Sequence, residues 1–165
     1  MNNIILIGMM GSGKSSVGQA IAKSSAMPFI DTDEMIVQRQ DMGISHIFEC
    51  YGEAYFRKLE AEMAAQAAAM DHMVIATGGG MVINEQNMAA LGASGLVVYL
   101  RCSINCLHSR LIGDESRPLL EKLEDILAQR AALYEKYSDL IVDGEGEIGK
   151  VAEMILDEYR SNKRA

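Results

Sequence analysis

Cysteine, proline and basic charge are all scarce in this 165-residue sequence, and each shortage removes a class of protein. The three cysteines, Cys50, Cys102 and Cys106, are odd in number and form no Cys-x-x-Cys pair, which argues against a disulfide framework. Cys102 and Cys106 lie near His108, but their spacing fits no structural zinc pattern and no second ligand pair exists, so they are expected to be buried thiols. His46 and His72 stand alone. Fifteen lysines and arginines face 23 acidic residues, for a formal net charge of −8. That balance, with a sequence pI near 4.9, speaks against a general nucleic-acid binder. The apolar runs fall far short of the ~20 residues that span a bilayer. Met1-Asn2-Asn3 lacks the basic start of a signal peptide, so the expected compartment is the cytoplasm. The only prolines are Pro28 and Pro118, and there is no repeat, linker or low-complexity segment.

Apolar residues make up 49% of the chain and charged residues 23%, ordinary values for a globular protein. One domain over residues 1–165 is expected, large enough to bury roughly 70% of its unfolded surface. Short apolar runs recur at Ile4 to Ile7, Phe29 to Ile30, Met73 to Ala76, Leu96 to Leu100 and Leu140 to Val142. Longer helix-compatible stretches separate them, among them Lys14 to Ser24, Glu60 to Met70 and Ile126 to Tyr137. The alternation predicts an α/β fold with a parallel sheet covered by helices on both faces. The twelve methionines are read as core filling and Arg160 to Arg164 as a frayed tail.

Gly8-Met9-Met10-Gly11-Ser12-Gly13-Lys14-Ser15 has the spacing of a phosphate-binding loop between a strand and a helix. Glycines there let backbone N–H groups turn toward an anion, and the helix N-terminus adds positive partial charge. Lys14 reaches terminal phosphates, and Ser15 offers a hydroxyl to Mg²⁺. A glycine-rich turn alone would need neither side chain.

Asp31 and Asp33 stand just past the second strand, at the edge where open α/β sheets bind ligands. One could serve a Mg²⁺ shell and the other accept a proton, or both could simply cap the next helix. Asp143, after the last strand, is a rival metal carboxylate. Thr77-Gly78-Gly79-Gly80 forms a second N–H-rich turn at the same edge, where a ligand could approach the backbone closely. Gly52 to Glu60 reads as a helix start in which Glu53 and Glu60 can both pair with Arg57. The pairing is either a surface ion pair or a brace that presents Arg57 to a carboxylate. Arg110 to Pro118 is a polar stretch bracketed by arginines, either a lid over a triphosphate or a solvated connection. Arg130, on an expected helix, says nothing alone.

Taken in order, Gly8 to Ser15, Phe29-Ile30-Asp31-Thr32-Asp33, Ile47-Phe48, Gly52 to Glu60, Thr77 to Gly80, Arg117-Pro118-Leu119-Leu120 and Arg130 with Leu133-Tyr134 resemble shikimate kinase. The phosphate loop is shared by a very broad superfamily; Asp-Thr-Asp, Gly-Glu-x-x-Phe-Arg-x-x-Glu and the triple glycine in series are far more specific. The resemblance covers nearly the whole chain. It implies a three-layer α/β/α sandwich with a five-stranded parallel sheet, a substrate-binding helical region at about 33–61 and a lid at about 110–120. It further implies ATP- and Mg²⁺-dependent phosphorylation of the 3-hydroxyl of shikimate, in chorismate and aromatic amino-acid synthesis, by a monomer without nucleic-acid or membrane partners. Gly11, Ser12, Gly13, Lys14, Ser15 and Ser16 would hold ATP phosphates, with Ser15 and Asp31 at the metal. Asp33 would bind the acceptor hydroxyls and take the proton, and Lys14, Asp33 and Arg117 would be the catalytic set. Arg57 and Arg130 would grip the carboxylate, Glu60 would orient Arg57, Phe48 and Phe56 would wall the pocket, and Gly78, Gly79 and Gly80 would contact the ring. Arg117 would belong to the lid and Arg110 to the adenine side. Asp143-Gly144-Glu145-Gly146-Glu147 lacks the arginine and proline that some relatives use at adenine.

Two other readings stay open on residues alone. A kinase for another polyol acid such as gluconate would share the arginines. A GTP switch would want Asn-Lys-x-Asp, but Asn162-Lys163 is followed by Arg164-Ala165, and a silent nucleotide-binding module would be expected to lose Lys14, Asp33 or Arg57.

Overall fold

The structure is a computed structural model that describes residues 2–111 and 122–162. Five parallel strands, β1 (Asn3–Ile7), β2 (Phe29–Asp31), β3 (Val74–Ala76), β4 (Gly95–Arg101) and β5 (Leu140–Asp143), form one sheet in the order β2-β3-β1-β4-β5. The helices are α1 (Lys14–Ser25), α2 (Thr32–Gln40), α3 (Ile44–Ala68), α4 (Glu85–Ser94), α5 (Ile104–Leu111), α6 (Leu123–Tyr137) and α7 (Ile148–Asn162), with a 3₁₀ turn at Met81–Ile83. Among the described residues no helix is long and apolar enough to cross a membrane.

The apolar run of β1 lacks polar alternation because both of its faces are covered. Ile5 and Ile7 pack with residues of α3, α4, α5 and α6, including Ala64, Leu91, Leu107 and Tyr134. Ile4 and Leu6 pack on the opposite side with Val17 and Ile21 of α1 and Ile155 and Leu156 of α7. All four apolar β1 side chains are fully buried, each contributing roughly 1.5–3 kcal/mol before ordering costs. A third cluster, Ile36, Ile47, Phe56, Leu59 and Met63, fastens α2 to α3 beside the sheet. Of the cysteines, Cys102 is buried, Cys106 half-buried and Cys50 exposed.

Three boundaries differ from the sequence reading. The strand at Phe29 extends through Asp31, whose side chain then caps α2 by accepting from the Asp33 N–H. The expected helix start at Gly52 lies within α3, which begins at Ile44 and breaks where Gly52 takes φ 80° and ψ 174°. That conformation is inaccessible to a helix, so the run from Glu53 onward is a second helical segment set at an angle to the first. The same helix ends at Ala68, short of Met70. Arg117, Pro118 and most of the anticipated lid lie outside the described residues.

Candidate functional site

The loops after β1, β2 and β3 meet at the carboxyl edge of the sheet. Between β1 and α1, Gly13 sits at φ 92° and ψ 15° and starts α1 without a side-chain cap. A left-handed N-cap favours glycine, and the uncapped first turn presents N–H groups that an anion can satisfy. Lys14 folds back along this loop. Its Nζ donates to Gly8 O at 2.9 Å, Met9 O at 2.8 Å and Ser12 Oγ at 3.4 Å, and only 8% of the residue is exposed. Burial lowers its pKa to about 8, against the raising influence of Asp33 and Asp31.

Ser15 Oγ donates to Asp31 Oδ2 at 2.6 Å, while Asp31 Oδ1 accepts from the Asp33 N–H at 2.9 Å. Asp31 therefore caps α2 and accepts from the phosphate-loop serine at once, so the capping use weighed for it is present. Asp143 is elsewhere engaged: its Oδ1 accepts from the Glu145 N–H at 2.9 Å in the turn after β5.

Asp33 Oδ1 is buried and has no hydrogen-bond partner among the described residues. Desolvation, reinforced by Asp31 and Glu60 and opposed by Lys14 and Arg57, pushes its pKa up to about 6. Glu60 is 1% exposed; its Oε2 accepts from Arg57 Nη1 at 2.8 Å and its Oε1 is buried without a partner among the described residues. Arg57 Nη2 also donates to Glu53 Oε1 at 3.2 Å, but Glu53 is 68% exposed. The anticipated ion pairs thus divide into one buried brace and one surface contact. Phe56 is buried under the Arg57 guanidinium, 5.5 Å from its ring centroid, and half-exposed Phe48 lies against Phe56 at 4.7 Å between centroids.

The triple-glycine turn lies between these groups. A Cβ on Gly78 would stand 2.5 Å from Asp33 Oδ1 and 3.2 Å from Glu60 Oε1, and one on Gly80 would stand 2.2 Å from Arg57 Nη1. A Cβ on Gly79 would lie 3.3 Å from the Met10 N and 3.8 Å from Arg130 Nη1. Close approach of Asp33 and Arg57 is thus the first reason for glycine here, ahead of any ligand. The turn is also pinned from outside. The Gly78 N–H donates to Thr32 Oγ1 at 3.1 Å, and the Tyr134 hydroxyl donates to Gly79 O at 2.6 Å.

Thr32 and Tyr134 were not among the sequence candidates. Both stand inside motifs that carry the resemblance, Thr32 between the two aspartates and Tyr134 one helical turn after Arg130, but neither was given a role. On the far side of the phosphate loop, Arg110 Nη1 donates to Gly11 O at 3.2 Å and its Nη2 to Gly144 O at 2.9 Å. Arg117 lies outside the described residues.

A sequence profile described as Shikimate kinase matches residues 10–160. The chain belongs to the shikimate kinase family. A shikimate kinase of Thermodesulfovibrio yellowstonii is 43% identical, with 96% of this chain and 95% of that protein covered. One from Dechloromonas aromatica is 40% identical, covering 95% and 90% respectively. A solved shikimate kinase from Acinetobacter baumannii in complex with shikimate superposes with a TM-score of 0.93 at 33% identity, covering 99% of this chain and 95% of that one. The five-stranded α/β architecture expected from the motifs is that of the shikimate kinase fold. In this family member, Asp33, Arg57, Glu60 and Arg130 gather around Gly78–Gly80, while Lys14, Ser15 and Asp31 stand on the phosphate-loop side.

Proposed function

We propose that the chain transfers the terminal phosphoryl group of ATP to the 3-hydroxyl of shikimate, forming shikimate 3-phosphate and ADP within chorismate synthesis. The observation that carries this reading is Asp33 Oδ1, buried against Gly78 without a hydrogen-bond partner among the described residues, on a carboxylate influenced by both Lys14 and Arg57. A buried acceptor without a donor suits an incoming hydroxyl. Arg57, braced by Glu60, and Arg130 beside Gly79 offer guanidinium forks matched to a substrate carboxylate. Phe48 and Phe56 supply the apolar wall, and Gly78, Gly79 and Gly80 let the ring approach the backbone.

The phosphate loop from Gly11 to Ser16 holds the ATP phosphates through its N–H groups and the N-terminus of α1. Lys14 exchanges its loop carbonyls for phosphate oxygens, which also relieves its desolvation. Ser15 Oγ and Asp31 Oδ2 are hard oxygen donors side by side, a set suited to Mg²⁺. When bound, that ion neutralises charge developing on the phosphates. Asp33 takes the hydroxyl proton as the substrate oxygen forms its bond to phosphorus and the bond to the ADP oxygen breaks. A carboxylate poised near 6 is mostly ionised at neutral pH and still basic enough for the task. Arg117 and Arg110 complete the set on the resemblance, Arg117 over the phosphates and Arg110 toward adenine. One chain and one domain suffice for both substrates. ATP consumption fits a cytoplasmic location.

The test is coupled ADP release from ATP and Mg²⁺, with shikimate and gluconate compared as acceptors. Strong stimulation by shikimate over gluconate is expected; no stimulation by shikimate would overturn the reading.

A further inference from the structure

Tyr134 is a large, fully buried side chain of α6, and it reaches 55 positions back in sequence to donate to the Gly79 carbonyl at 2.6 Å. Its ring stacks on Tyr99 of β4, with centroids 5.0 Å apart and planes inclined by 21°. The ring contact serves the core. The hydroxyl contact is different, because it ends on the backbone of a turn whose neighbouring glycines are pressed against Asp33 and Arg57.

Arg130 precedes Tyr134 by four residues on the same helix, so both lie on one face of α6. Its guanidinium influences the same phenol, and its Nη1 lies 3.8 Å from where a Gly79 Cβ would be. One helix face therefore delivers a cation and a tether to the same glycine. The tether has a direction. With no cis peptide in the described chain, fixing the Gly79 carbonyl on α6 turns the following N–H of Gly80 away from α6, and Gly80 is the residue Arg57 presses against. Glycine has no side chain to hold its peptide plane, so an external bond has to.

We infer that Tyr134 is a positioning residue for acceptor binding: through its hydroxyl it locks the Gly79–Gly80 peptide and thereby sets the spacing between Arg130 on α6 and Arg57 on α3. The inference rests on the reading of this turn as the shikimate site. Burial holds the phenol pKa up to about 12, so the hydroxyl stays a donor throughout the working pH range.

The test is Tyr134→Phe in the full chain, which keeps the ring and its stack and removes the hydroxyl, with its bond to Gly79 O and its interaction with Arg130. We expect the KM for shikimate to rise about tenfold, the KM for ATP to stay within twofold and kcat to fall less than the KM rises. Unchanged shikimate KM with a lower melting temperature would make the hydroxyl merely structural and overturn the inference, as would equal changes in both KM values. Wild-type activity on shikimate, measured alongside, separates the two failures: without it the functional reading falls, and with it only the role of Tyr134 is at stake. A measurement on the unaltered chain stands if the variant does not fold. Shikimate alone should slow amide exchange in the Thr77–Gly80 turn and around Tyr134 together. Protection of the turn with α6 unaffected would overturn the coupling.

Discussion

Lys14 and Asp33 are both ionised at neutral pH in surroundings whose desolvation disfavours the charge. Burial lowers Lys14 to about 8 and raises Asp33 to about 6. For Asp33 the folded pKa lies above the model value of 3.8, so the native state binds the proton more tightly than the unfolded chain. Its contribution to stability is therefore lost as pH rises from about 4 to about 6. Asp33→Asn should abolish turnover yet, without ligands, melt higher than the parent at pH 7.5, by roughly 2–4 °C for each kcal/mol relieved, with the gap closing toward pH 4. Calorimetry across that range checks it; a lower melting point at pH 7.5 would contradict the assigned penalty. Lys14→Ala should reduce kcat by at least about 100-fold, as expected for lost charge stabilisation, with the circular dichroism of the fold retained. Near-normal turnover would remove Lys14 from the chemistry. Both residues were legible in the sequence because motif spacing and strand ends locate them. Their perturbed pKa values were not, since desolvation depends on what packs above them.

Elements carry the next layer of the site, and α3 shows how periodicity and burial part company. Helical spacing placed Glu53 and Glu60 equally well around Arg57, yet the structure leaves one exposed and encloses the other. Glu53→Ala should cost a few tenths of a kcal/mol, as for any exposed helical pair, and leave kinetics unchanged. Glu60→Ala should cost about 1–3 kcal/mol and raise the shikimate KM well above the ATP KM, because Arg57 loses its buried partner. Denaturant titration and steady-state kinetics on the pair decide it, and equal effects would erase the distinction. The glycine turn makes a similar point. Gly80→Ala puts a methyl group where Arg57 Nη1 now lies. The guanidinium can swing aside, so the fold should survive while acceptor binding weakens at least about tenfold, a displacement cost of the order of one charged hydrogen bond. The sequence marked the turn as a ligand contact; that its glycines first accommodate side chains depends on β2, β3 and α3 meeting, which no local pattern records.

For the whole molecule, the order of apolar runs was enough to bring the candidate residues to one edge. Parallel strands joined by helices put successive loops on the same side, and β1, β2 and β3 are neighbours there. Less legible was the arrival of α6, whose Tyr134 and Arg130 come from the far end of the chain, and the Gly52 break within α3. On the proposed function two ligands meet at the edge of one sheet, so both should stabilise it by mass action, by about 2.7 kcal/mol at 100 times Kd. Chelating Mg²⁺ should abolish turnover and most of the ATP-dependent rise in melting temperature while sparing the rise caused by shikimate. Loss of both together would mean that the two ligands do not bind separable parts of the edge. Arg110 adds a last consequence. It holds the turn after β5 through a backbone oxygen, Gly144 O, while the Glu145 side chain of that turn is held first by the Ser103 N–H and only secondarily by the charge of Arg110. Position 144 itself is confined, since a Cβ there would stand 2.8 Å from Cys102 Sγ. Glu147, which pairs with Lys150 of α7 and has no contact with Arg110, is outside that grip, so a substitution there should leave the phosphate loop undisturbed.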